Sequence, residues 1–73
     1  MTDVQLLKQL IQDSGLKNSY IAARLGMSIQ NFHKYLNGRT EFRASQIRML
    51  CDLLHIEDPA LAEAVFYARQ TEA

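Results

Sequence analysis

The stretch KNSYIAARLGMSIQNFHKYLNG, residues 17–38, decides the fold of this chain. It reads as two short helices separated by the break Gly26-Met27-Ser28. Gly26 can adopt the left-handed backbone that ends a helix after Leu25. Ser28 can accept a hydrogen bond from the free N–H groups that open the next helix. So short a break swings the second helix sharply against the first, and Ala22 is small where the two come closest. Taken alone, the turn fits an ordinary helical hairpin as well as a helix-turn-helix that holds its second helix proud of the surface. The residues around it separate the two.

Upstream, Thr2-Asp3-Val4-Gln5 predicts a capping box, with Thr2 as N-cap and Gln5 three residues on. Val4, Leu7, Leu10 and Ile11, with Leu6 beside them, keep helical spacing until Ser14-Gly15 supplies a stop. The second helix is expected over residues 18–25 and the third over residues 29–36, ending at Asn37-Gly38. A loop of residues 39–43 leads to a fourth helix at residues 44–54, with Ile47, Leu50 and Leu54 on one stripe and Cys51 and Leu53 flanking it. Asp58-Pro59 opens a fifth, as N-cap and first-turn proline, running to about residue 70. The expected fold is all-α: one compact five-helix bundle over residues 1–73, with the helix-turn-helix at about 18–37. Its core should contain Leu7, Leu10, Ile21, Ala22, Leu25, Phe32, Tyr35, Ile47, Leu50 and Leu54, with Met27 as a plug in the turn.

Seventy-three residues, 48% of them apolar, suit a single small domain near the lower size limit for an unstapled core. One cysteine forms no internal disulfide and leaves no credible metal site; Cys51 is read as a core thiol, not a nucleophile. No apolar run reaches membrane-spanning length and no signal peptide precedes the first helix, so a cytosolic protein is expected. No acid–base pair, nucleophile constellation or phosphate-cradling loop points to an enzyme, and no cofactor or small-molecule substrate is expected. Net charge is zero, but its distribution is uneven. Residues 15–48 carry six bases against the single acid Glu41, a net of +5, while residues 49–73 carry one base against five acids, a net of −4. The basic half coincides with the helix-turn-helix, and a phosphate backbone responds to such a patch rather than to the total.

With Phe32 and Tyr35 pointing inward, Gln30, His33 and Lys34 face outward on the third helix, and Ile29 lies at its leading edge. Gln30 can form a bidentate contact to adenine, and Lys34 can donate to guanine or to a phosphate. His33 can donate to either, and Ile29 can pack only against a thymine methyl. The same polar trio also fits a plain solvated face, but it adjoins a loop that carries Arg39 and Arg43. Asn18 and Ser19, opening the second helix, can add donors to a phosphate.

Residues 18–38, followed by RTEF and ASQIRMLCDLL, resemble the five-helix DNA-binding domain of lambdoid phage repressors and Cro proteins, also described as xenobiotic-response-element-like. The likeness spans roughly residues 6–56 and rests on Ala22, Gly26, Phe32 and the Leu36-Asn37-Gly38 run. The NSYIA, LNG and TEF segments are most similar to small prophage-encoded regulators. The resemblance implies base reading by Ile29, Gln30, His33 and Lys34, and phosphate contacts by Asn18, Ser28, Arg39, Thr40 and Arg43. It also implies a homodimer on a palindromic stretch of double-stranded DNA. Two positions depart from the pattern. Ile29 stands where many members place a polar reader, and Lys17 stands where a Ser or Thr N-cap is common, which leaves Asn18 to take the cap.

In the last helix Leu61, Val65 and Ala68 form one stripe, and Ala62 and Phe66 its neighbour. One stripe packs on the bundle; Phe66 and Tyr67 then either serve a partner, together with Leu61 and Val65, or close the core. The leading expectation is a sequence-specific transcriptional regulator of repressor or Cro type. The alternative is a protein-interaction module of the same fold, an antirepressor or the partner of another regulator, using its acidic tail or Ile29.

Overall fold

The structure is a computed structural model and describes residues 1–68, which form five helices and no strand. Helix α1, Val4–Ser14, is opened by Asp3, whose carboxylate accepts the Leu6 N–H at 3.1 Å. The capping box expected from Thr2 is therefore not the one made. An ionised carboxylate answers both the free N–H groups and the positive end of the helix dipole, where a hydroxyl answers only the first. Thr2 turns away instead, toward Glu41.

Helix α2, Asn18–Arg24, ends one residue earlier than expected, with Leu25 at its C-cap. Its N-cap is Lys17, which makes no side-chain capping bond, so Asn18 is the first helical residue and not the cap. The turn that follows is a Schellman closure: Gly26 N–H donates to the Ala23 carbonyl at 3.1 Å and Met27 N–H to that of Ala22 at 3.0 Å. Gly26 holds φ at +74°, and half-buried Met27 packs on the core beneath it. Ser28 then caps α3, Ile29–Leu36, by accepting the Asn31 N–H at 3.1 Å. Helix α4, Ala44–Leu53, ends with the same closure, yet His55 occupies the left-handed position at φ 56°.

Those two turns make a paired prediction. A Cβ at Gly26 would meet nothing within 4 Å, so Gly26→Ala costs only the left-handed backbone, about 1–2 kcal/mol. His55→Gly relieves the same strain of about 1–2 kcal/mol but adds chain entropy worth about 0.5–1 kcal/mol, for a net gain of about 0.5–1 kcal/mol. Urea unfolding checks both as opposite shifts of midpoint at unchanged slope.

Helix α5, Pro59–Phe66, opens as expected on Asp58, whose carboxylate accepts the Ala60 N–H at 2.9 Å. It stops at Phe66, short of the expected residue 70; residues 69 and 70 lie outside the described residues. Helix α2 packs chiefly on α3, α1 bridges α3 and α5, and α4 backs α2. The core holds Leu7, Ile21, Ala22, Phe32, Tyr35 and Leu50 as expected, and also Ile11, Leu36, Phe42, Ile56, Val65 and Phe66. Leu10, Leu25, Ile47 and Leu54 are half-buried around it. Burial, and secondarily the charge of Asp52, push the Cys51 thiol above its ordinary value.

Among the described residues no buried side chain is polar or charged. No helix there is long and apolar enough to cross a membrane, and no group of three or more His, Cys, Asp or Glu could hold a metal ion.

Candidate nucleic-acid interface

The surface of interest is built on α3. Phe32, Tyr35 and Leu36 are buried and Ile29 is half-buried. At about 100° per residue these four define one arc of the helix. Gln30 and Lys34 fall opposite the centre of that arc and are exposed. His33 and Asn31, also exposed, lie on its two flanks. Phe32 and Tyr35 alone set a slightly different outward direction for the helix. Adding Leu36 rotates the outward direction by roughly 20°, which carries His33 toward α1.

There His33 lines a hollow of about 330 Å³ together with Lys8 and Gln12 of α1, Asn18 of α2 and Asn37 at the end of α3, over a floor that includes Ile11 and Leu36. The sequence pattern gives Lys8 and Gln12 no part in a site and marks Asn37 only as a helix stop. Helical phase within α3 could have found Asn37, one turn beyond His33. Lys8 and Gln12 reach the same hollow only through the packing of α1 on α3. Ile29, expected at an exposed leading edge, instead packs its side chain partly against the core.

The loop after α3 is tied along its length. Arg39 N–H donates to the Lys34 carbonyl at 3.0 Å, completing the closure of α3. Arg43 N–H donates to Gln46 Oε1 at 2.8 Å. Arg43 has no acceptor with which to return the bond, so only half of a capping box forms at the start of α4. Between them Phe42 is buried, its ring 4.8 Å from Tyr35 and edge-on to Phe66 at 6.2 Å. Arg39, Thr40 and Arg43 stay exposed. One buried aromatic and the bonds made by the Arg39 and Arg43 N–H groups fix the backbone from which these cations project, and preorganisation of that kind favours binding.

The first turn of α2 adds half-buried Asn18 and exposed Ser19. Exposed Tyr20 (48%) shares the outer side of this helix with Arg24, four residues on, a pairing that polarity and period in the sequence do not mark as functional. Ser28 is exposed but spends its hydroxyl as an acceptor on the cap of α3.

The four residues named for a partner surface do not stay together. Val65 and Phe66 are 0% and 2% exposed, so they belong to the core of the chain and have no face to offer. Leu61 is half-buried, and Tyr67, 55% exposed, borders a shallow hollow with Ala60, Glu63, Ala64 and Ala68. The reason is rotational: Pro59–Phe66 is only two turns long, and Phe66 fills the space against Phe42.

A family model described as a helix-turn-helix domain matches residues 4–65, which takes in all five helices but the last residue of α5. Comparison with curated proteins and with solved structures finds no match.

Proposed function

The chain belongs to the helix-turn-helix domain family, and from that premise we infer that it is a sequence-specific regulator whose α3 enters the DNA major groove. The observation that carries this reading is the pairing of two surfaces. Gln30 and Lys34 stand opposite the buried arc of α3, and directly after that helix comes an anchored loop with Arg39 and Arg43 exposed. Gln30 would read adenine and Lys34 guanine, as their donor and acceptor patterns allow. Arg39, Thr40, Arg43, Ser19 and the N–H groups opening α2 would hold the backbone on either side. His33, on the flank toward α1, suits the edge of the groove more than its floor. Ile29 contributes by seating α3 on the core rather than by touching a base.

The repressor-like role and the dimer are extensions of the resemblance set out above. A single eight-residue recognition helix reads too few bases to select a site alone, and two-fold pairing answers that need. The face of α5 bordered by Ala60, Ala64 and Tyr67 is the natural place for a second copy, since Val65 and Phe66 are occupied internally. The interaction-module alternative is less favoured, because Ile29 is half-buried and packs partly against the core.

Selection of bound sites from random duplex DNA at two salt concentrations tests the reading. The expected outcome is an enriched palindromic motif with half-sites about one helical turn apart and affinity that falls steeply with salt. Recovery of unenriched sequences at both salts would remove the assignment.

A further inference from the structure

Glu41 is the only acid among the residues 15–48 that make up the basic half of the chain, and it lies within the loop that carries Arg39, Thr40 and Arg43. Left free, a carboxylate there would face the same phosphates as its neighbours and repel them. It is not left free. Glu41 Oε2 accepts both the Thr2 N–H and the Thr2 hydroxyl, each at 3.2 Å, across 39 residues of sequence. Thr2 is itself held, because the next residue, Asp3, donates its N–H to the Val65 carbonyl at 2.6 Å and its carboxylate caps α1. The segment before α1 thus runs as a strap from the end of α5 to the middle of the basic loop. Phe42 pins the loop from within, between the rings of Tyr35 and Phe66.

We propose that Glu41, docked on Thr2, is the positioning residue of the basic loop: its carboxylate anchors the loop's outer side and so fixes Arg39 and Arg43 for a phosphate backbone. The proposal rests on the reading of that loop as phosphate-facing. It accounts for the position of the single acid. The anchor needs an acceptor, both Thr2 groups supply donors, and a charge-assisted bond is the stronger kind. The contact is at the surface, so its effect is modest and is measured as a ratio between variants.

Glu41→Gln and Glu41→Ala are both neutral, but only glutamine keeps an oxygen that can accept from Thr2. Comparing them separates anchoring from charge. With a fixed-sequence duplex at low salt, Glu41→Gln should bind at least as tightly as the parent chain, and Glu41→Ala roughly two- to fivefold more weakly than Glu41→Gln. In a Thr2→Val background, which removes the hydroxyl donor, that gap should narrow. Hydrogen exchange supplies a readout independent of DNA: the Arg39 and Arg43 amides should exchange faster in Glu41→Ala than in Glu41→Gln. Equal binding together with equal exchange in the two variants would overturn the anchor and leave Glu41 a bystander charge. Exchange that responds as expected while no variant, nor the parent, binds any duplex would support the anchor and overturn the DNA reading.

Discussion

Phe66→Ala lowers the unfolding free energy by about 3–5 kcal/mol, and thermal or urea unfolding should show it as the most damaging of the single changes considered. A domain of 73 residues holds only roughly 4–10 kcal/mol in total, so this variant sits at the edge of folding. The size of the loss comes from where the ring sits. Phe66 is 2% exposed and stands edge-on to Phe42, which in turn lies against Tyr35 and Phe32. Its removal opens a cavity shared by α3, the basic loop and α5, and such edge-on and tilted aromatic pairs add about 0.5–1.5 kcal/mol each beyond area burial. The loss should not depend on protein concentration. A loss that disappears at high concentration would mean that Phe66 does its work at an interface between copies.

The second large effect is on recognition. Gln30→Ala and Lys34→Ala should each weaken binding to the selected site by about 1–3 kcal/mol, roughly five- to 150-fold, and relax the preference at one base position, with unfolding midpoints unchanged. Both side chains are exposed opposite the buried arc of α3 and support no core contact. Arg39→Ala and Arg43→Ala should instead weaken binding to every duplex and flatten the dependence of log affinity on log salt by about one unit each. Fluorescence anisotropy against the selected duplex and a scrambled one, over a salt series, resolves the two patterns. Equal and salt-insensitive binding by all four variants would remove both the base readers and the phosphate clamp.

The distinction between these two kinds of residue is legible in the sequence at some positions and not at others. Gln30 and Lys34 follow from the helical period once Phe32 is placed inside, because period and polarity agree there. Ile29 did not follow. Its spacing from Phe32 is compatible with either a leading edge or a core flank, and only the approach of its neighbours sets which. Val65 and Phe66 show the same ambiguity on α5: adjacent stripes of Leu61, Val65, Ala62 and Phe66 are equally apolar, and a helix two turns long cannot rank them by period alone. Phe42 had no periodic signal at all, since it lies in a loop. The capping of α1 went to Asp3 because charge at the helix N-terminus outweighs the hydroxyl pattern that had suggested Thr2.

The five helices, the Gly26 turn, the Ser28 and Asp58 caps and the positive charge concentrated mid-chain are all legible in residue order alone. These are local properties, fixed by backbone stereochemistry, hydrogen bonding within a few residues and the 3.6-residue period. Tertiary structure decided which apolar stripe of α5 faces inward, that Phe42 closes the core, that His33 turns toward α1 and that Glu41 meets Thr2. Each of those depends on contacts between residues far apart in the chain, where the final arrangement is set by how whole helices fill volume against one another, and no local pattern encodes that volume.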